Sequence, residues 1–443
     1  MKKIKFLSMI ALFGAMTLFG FASCNDDDND DVLQEQDAAM EALTKQYVNN
    51  VVYNTYTALA GEAQTLYQQI NTLKAKLKAG TAVAQSEIDA ICVTYKLARK
   101  HWEESEAFLF GPAADFEIDP HIDTWPLDVA TLAKDLSDDA KIAELDKEDG
   151  IDYARENLTA ENLGFHGIEF IFFRNGANRN VAIFNNDAVE DYAYKGTQYF
   201  AGMTVTGKEE VIFASAVAGD LRDKCYQLLV SWKGSGASTA AQSRIAELFA
   251  KDAEEWQHTV KANGLSFGAN MLAATTQVST YASWRKVMEE IFDGCIDICG
   301  EVGDQKMGQA YRAATSTVPT YHEGEDGGQE QDDPNYIESP YSHNSFTDFY
   351  GNIQSIKNSL YGDRDLSTPS ATSLMAYLQQ YNKGMADELE NEMKDALNAL
   401  TACLNSGVAF VDAPGAALVG KAIEEVGELA DKLAEAKRWV LMN

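Results

Sequence analysis

An all-α fold follows from three features of this 443-residue chain: apolar residues recur every three or four positions through most of it, only eight prolines interrupt it, and few segments alternate as strands do. A mature length of about 420 residues exceeds what a single core usually supports, so two helical bundles are expected. Composition places their boundary at Gly234-Ser235-Gly236-Ala237-Ser238, giving an N-terminal bundle over 39–233 and a C-terminal bundle over 234–443.

The chain opens with Lys2, Lys3 and Lys5, an apolar stretch from Phe6 to Phe21, and Ala22-Ser23-Cys24. A basic start, a short apolar core and small residues before a cleavage point describe an export signal over 1–23, too short and wrongly flanked for a membrane span. Cys24 then fits the lipidated first residue of a bacterial lipoprotein. Phe21 stands where Leu is usual, and secretion with an incidental cysteine is the alternative. Two or three acyl chains on Cys24 would anchor the protein to the cell envelope, at the outer membrane and on either its periplasmic or its exposed side. The run Asn25 to Asp31 carries too much like charge to fold and reads as part of an acidic, flexible tether over 24–38.

From Leu43, the positions Tyr47, Val51, Leu59, Ala63, Leu66, Ile70, Leu73 and Leu77 mark one long amphipathic helix ending near Gly80. Ile88, Ile91, Tyr95, Ala98 and Trp102 mark a second, which stops before Gly111-Pro112 and so places Glu103 and Glu106 in its last turns. Further helices are expected around 130–146, 151–174, 188–203, 208–232, 238–262, 280–313, 344–361, 369–404 and 415–441. The Gly- and acid-rich segment 321–337 reads as an exposed loop; its His322, Glu323, Glu325 and Asp326 form a metal cluster on paper and a solvated acidic loop more simply.

Net charge is −32, or −35 without the three lysines of the export signal. Phosphates would repel such a chain, which argues against nucleic acid and favours cations or basic partners. After lipidation of Cys24 five cysteines remain, an odd number; Cys92, Cys225, Cys295, Cys299 and Cys403 are expected as buried small apolar residues.

Chemistry concentrates in Gly164-Phe165-His166-Gly167-Ile168-Glu169. On a helix, His166 and Glu169 point the same way. An imidazole and a carboxylate so placed suit half of a metal site or an acid/base couple; a hydrogen-bonded pair between helices is the plainer reading. Upstream lie His101-Trp102-Glu103-Glu104-Ser105-Glu106-Ala107-Phe108-Leu109-Phe110-Gly111-Pro112 and Ile118 to Asp128, and downstream Glu338-Ser339-Pro340-Tyr341-Ser342-His343-Asn344. With these segments in this order the chain resembles the imelysin family, bacterial envelope proteins with a Gly-x-His-x-x-Glu signature. The resemblance implies two helical bundles with the signature near their junction. It carries Gly164, His166 and Glu169 over directly. Glu103 and Glu106 follow from iron-transport relatives that use a Glu-x-x-Glu pair.

The expected site joins His166 and Glu169 to Glu103, Glu106 and one aspartate, Asp123 or Asp119. Such a donor set suits iron, manganese or zinc better than Cu(I). Arg99 or Arg174 could instead neutralise these carboxylates without a metal. Trp102, Trp125 and Phe108 are expected to fill the core between helices, and His343 to face His166 across the junction. A Ser342-His343-Asp348 triad can be drawn, but nothing resembles a nucleophile elbow. No His-Glu-x-x-His occurs among the six histidines.

Two functions follow. One is a non-catalytic envelope lipoprotein that binds iron, or an iron-bearing chelate, and passes it to a transport partner, as the resemblance to iron-regulated family members implies. The other is a metallopeptidase with His166 and Glu169 as ligands, the activity the family's label implies. A surface lipoprotein that only binds a partner is the third reading.

Overall fold

A computed structural model describes residues 26–324 and 327–443, with side chains from residue 33 onward. The export signal and Cys24 lie outside the described residues. Among the described residues no helix is long and apolar enough to cross a membrane.

The architecture is all-α, with three two-stranded hairpins among the described residues. The long helices are α1 (Asp26–Gln46), α2 (Tyr53–Lys78), α3 (Gln85–Glu103), α4 (Gly164–Phe172), α5 (Gly207–Lys233), α6 (Thr239–Lys251), α7 (Trp284–Gly300), α8 (Ser345–Tyr361), α9 (Lys383–Leu404) and α10 (Ala417–Met442). Helices α2, α3, α4, α5 and α6 pack as one group, with α5 at its centre and buried along nearly its whole length. Helices α7, α8, α9 and α10 form the second group, which also takes α1. Helix α8 packs on α3 as well, and a single hydrophobic cluster runs through both groups.

Several sequence expectations are corrected by this packing. The first helix begins at Asp26, inside the acidic run expected as a flexible tether. Its end is docked: Arg285 of α7 binds Asp37 at 2.8 Å and Gln36 at 3.1 Å. The chain beyond Gly234–Gly236 stays on the first group, because α6 and the short helix Phe267–Leu272 pack on α5. The long first helix passes through a π-helical segment, Tyr47–Val52, in which Tyr47, Val48, Val51 and Val52 are buried in the core.

The expected helix 188–203 is instead a β-hairpin, Ala193–Tyr194 against Thr197–Gln198, turned at Lys195-Gly196. Two consecutive left-handed residues favour the two-residue hairpin turn over a helix, and the Tyr and Thr flanks suit strands. Asp138 caps a new helix with its side chain and so splits 130–146 in two; 151–174 breaks between Asn157 and Gly164, and 369–404 at Asn382. The segment 238–262 stops being helical at Lys251, and 280–313 changes to a π-helical segment at Glu301–Lys306. Within 321–337, Tyr321–Glu323 pairs with Gln329–Gln331. All five described cysteines are buried free thiols.

Candidate functional site

The geometry starts at Gly164. Its φ is +60°, and a Cβ there would stand 1.9 Å from the carbonyl oxygen of Ile122, so only glycine lets α4 rest against the 118–124 segment. Two residues on, His166 aims Nε2 at Asp123 Oδ1, 3.0 Å away, while Glu169 Oε2 stands 3.6 Å from Nδ1. Asp123, not Asp119, is therefore the aspartate at the imidazole; its second oxygen accepts from Trp102 Nε1 at 2.7 Å. Burial opposes a charge on His166, but the hydrogen bond to Asp123 and the carboxylate of Glu169 beside the ring outweigh it and push its pKa up to about 9. Burial likewise opposes ionisation of Asp123, yet Arg99 and His166 hold it below the usual carboxylate range.

Arg99 occupies the centre, fully buried. Its guanidinium meets Glu103 at 2.6 Å, Glu338 at 2.5 Å, Asp348 at 3.5 Å, and Asp123. Beyond it lies Lys306, whose Nζ is 3.3 Å from Glu338, 3.6 Å from Glu106 and Glu301, and 3.9 Å from Glu103. Glu106 sits in a short 3-10 turn, Glu106–Phe108, past the end of α3 rather than on it. Burial raises the pKa of Glu103 against the pull of Arg99, and that of Glu106 against the pull of Lys306, while neighbouring carboxylates add to both rises. Asp348 is pushed up to about 7 for the same reason. Asp119, half-buried near Glu301 and Asp123, is pushed up to about 8 by burial and by those two charges.

The far wall comes from the segment before α8. Glu169 Oε1 accepts from the backbone N–H of Tyr341 at 3.0 Å and of Ser342 at 2.7 Å, and from the Ser342 hydroxyl at 2.7 Å. Asp348 accepts from Ser339 Oγ at 2.5 Å and Asn344 Nδ2 at 2.6 Å, and Asn352 donates to Glu103 at 2.6 Å. A Cβ at Gly351 would lie 2.6 Å from that of Glu103, so this glycine sets how closely α8 crosses α3.

Of the expected site, His166, Glu169, Glu103, Glu106 and Asp123 converge. His343 does not face His166: it is half-buried, and its imidazole stands over Gly176 at the tip of the Phe173–Arg174/Ala177–Asn178 hairpin. The Ser342-His343-Asp348 triad is not formed, since Ser342 is bound to Glu169 and Asp348 to Ser339 and Asn344. Trp102 and Phe108 are core residues. Trp125 is half-buried and lies against Tyr336, with ring centroids 3.9 Å apart. Arg99 is the neutralising arginine; Arg174 pairs with Glu190 at 3.0 Å, over the Phe170 ring. In the 321–337 hairpin, His322 binds Asp332 at 3.1 Å, and Glu325 and Asp326 lie outside the described residues.

Glu338, Asp348, Lys306 and Glu301 join the site without having been expected there. Asp348 and Asn352 carry a sequence signal, as polar residues four apart beside the core positions Phe349 and Ile353; Lys306 carries none.

Six buried carboxylates, Glu103, Glu106, Asp123, Glu169, Glu338 and Asp348, thus surround three basic groups, Arg99, Lys306 and His166. Three triads here have one ligand atom from each member within 4.8 Å of the others: Asp123/His166/Glu338, Glu103/Glu106/Asp123 and Glu103/Glu338/Asp348. Oε2 of Glu338 and of Glu169 are buried without a hydrogen-bond partner among the described residues. Hard oxygen donors with one imidazole fit iron, manganese or zinc.

Fold and site define an all-α protein of two packed helical groups whose junction buries a histidine in a carboxylate-rich centre. The imelysin family model matches residues 52–433, and the chain belongs to that family. It is similar to "Iron-regulated protein A" of Synechococcus elongatus, at 23% identity over 356 residues, covering 80% of this chain and 74% of that protein. Its fold matches the crystal structure of a Parabacteroides distasonis protein described as an iron-regulated protein A precursor, with a TM-score of 0.66 and 21% identity over 91% of this chain and 95% of that one. An imelysin-like protein from Psychrobacter arcticum aligns with a TM-score of 0.50 at 14% identity, covering 90% of this chain and 92% of the other.

Proposed function

We propose that this imelysin-family protein is a non-catalytic binder of iron, free or chelated, and that the cation enters the centre around His166. The surplus of buried carboxylates over basic groups carries the reading. Isolated buried charge is expensive, and a di- or trivalent cation among Asp123, His166, Glu338, Glu103 and Glu106 would relieve it. The likeness to a protein named for iron regulation supports iron over zinc. Burial of His166 and Asp123 favours binding over a metallopeptidase, whose metal must keep a water position open to a peptide cleft. Lipid anchoring through Cys24 to the envelope, with a transport partner receiving the cation, completes the proposal; Cys24→Ser should move the protein from the membrane to the soluble fraction, and unchanged membrane partition would refute the anchor.

The first test is metal content by mass spectrometry on the chain from residue 25 onward, purified without chelator. Stoichiometric iron or zinc is expected, and its loss in the Asp123→Asn, His166→Ala double variant; retention in that variant, or no metal in the wild type, defeats the reading. The pH dependence has a definite sign. Without metal, His166 titrates at about 9 against its ordinary 6.5, so the imidazolium supports the fold below pH 6.5 and that support is lost as pH rises through 9. A ligand nitrogen must be neutral, so metal affinity should rise roughly tenfold per pH unit below about 9 and then level off. Titration calorimetry at pH 6, 7 and 8 checks this.

A further inference from the structure

We infer that Lys306 is an internal cation that guards the centre, and that loading proceeds by exchange of its ammonium for the incoming metal through the carboxylate cage of Glu301, Glu106, Glu338 and Glu103. The inference rests on the metal-binding reading above and adds the route and the gate.

The two fixed positive charges of the site are held very differently. Arg99 is held by a hydrogen bond to Glu338 at 2.5 Å and an ion pair with Glu103 at 2.6 Å, four residues before the end of the regular helix α3. The Lys306 ammonium makes no ion pair shorter than 3.3 Å among the described residues. Its four carboxylate neighbours stand at 3.3 to 3.9 Å, so the ammonium floats among them much as a free cation would. An ammonium is a compact point charge on a flexible stem, and this one can leave by swinging its side chain.

The backbone beneath it is irregular at the same place. Glu301–Lys306 is π-helical, a conformation found mostly as single-turn bulges and frequently at functional sites. In an α-helix, residues five apart point about 140° away from each other. Here the i→i+5 pattern brings Glu301 and Lys306 to one side, 3.6 Å apart. Reversion of the bulge to α-helical geometry would turn Lys306 away from the cage.

The cage also has a door. The Glu301 side chain is 43 % exposed while that of Lys306 is 1 % exposed, so Glu301 offers a solvent-facing first ligand and Lys306 stands directly behind it. Behind Lys306 lie Glu103, Glu106 and Asp123, whose ligand atoms come within 4.8 Å of one another, and then the Asp123/His166/Glu338 triad. The partnerless Oε2 of Glu338 is a further unused donor at the cage.

Two measurements with Mn²⁺ alone as probe decide the matter. In the wild type, an amine-acylating reagent read by peptide mass spectrometry should label Lys306 at least tenfold faster at saturating Mn²⁺ than without metal. Protection that persists while calorimetry shows Mn²⁺ bound overturns the exchange. In Lys306→Met, Mn²⁺ should bind at least tenfold more tightly than in the wild type, while Lys306→Arg, which keeps the charge, should bind no more tightly than the wild type. Equal or weaker binding by a folded Lys306→Met overturns the gate and leaves the metal site standing; absence of Mn²⁺ binding in both wild type and Lys306→Met overturns the site and the gate together. The labelling experiment needs no variant, so it decides even if Lys306→Met does not fold.

Discussion

Replacing Arg99 with leucine is expected to destabilise the protein by at least about 3–5 kcal/mol, the range seen when one partner of a buried ion pair is removed. The guanidinium serves Asp123, Glu103, Glu338 and Asp348 together, all of them buried. Without it four carboxylates must take up protons or draw in water. Against a total stability of about 5–15 kcal/mol, such a loss removes a large fraction of the margin that keeps the chain folded. Arg99→Lys should recover only part of it, because an ammonium lacks the planar fork that reaches several carboxylates at once. Urea unfolding followed by circular dichroism measures both variants. A drop below about 1 kcal/mol for Arg99→Leu would show that the centre tolerates its charge surplus without the guanidinium, and would remove Arg99 as its electrostatic keystone.

Gly164→Ala should be comparably damaging and should also disable the centre. A left-handed backbone costs a non-glycine residue about 1–2 kcal/mol, and the added Cβ would sit 1.9 Å from the Ile122 carbonyl oxygen, a backbone atom that cannot turn aside. Relief requires α4 to move away from the 118–124 segment. That movement separates His166 from Asp123, so the variant should lose both stability and bound metal. Gly61→Ala is the matched control. Gly61 lies within α2 with open space where a Cβ would go, and alanine there should stabilise by up to about 1 kcal/mol. Thermal unfolding of the two variants side by side separates a local requirement at Gly164 from a general sensitivity to added methyl groups. Equal melting temperatures for Gly164→Ala and the wild type would refute the requirement.

Much of this centre is legible in the amino-acid sequence, for a local reason. His166 and Glu169 are one helical turn apart, and Glu103 follows Arg99 by four residues, so a 3.6-residue period suffices to align each pair. Glu106 is reached through its proximity to Glu103, although it belongs to a separate short turn. The expectation for His343 fails because its neighbours are right and its direction is wrong: the loop brings Tyr341 and Ser342 to Glu169 and turns the imidazole toward Gly176. Glu338 sits in a segment whose residue pattern is distinctive, yet nothing in that pattern reveals that its carboxylate meets Arg99 from 239 positions away.

The sequence by itself determined the helical class, most helix positions, the free buried cysteines and the helix-borne halves of the site, because each depends on periodicity and residue type within a few turns. Tertiary structure alone decided that α1 joins the second helical group, that α6 stays with the first, that Arg99 rather than Arg174 answers the carboxylates, and that Lys306 stands among four of them. Those outcomes depend on which helix faces meet across hundreds of residues and on one-residue shifts such as the Glu301–Lys306 bulge, which rotate a side chain from solvent into the core without leaving a trace in the local pattern.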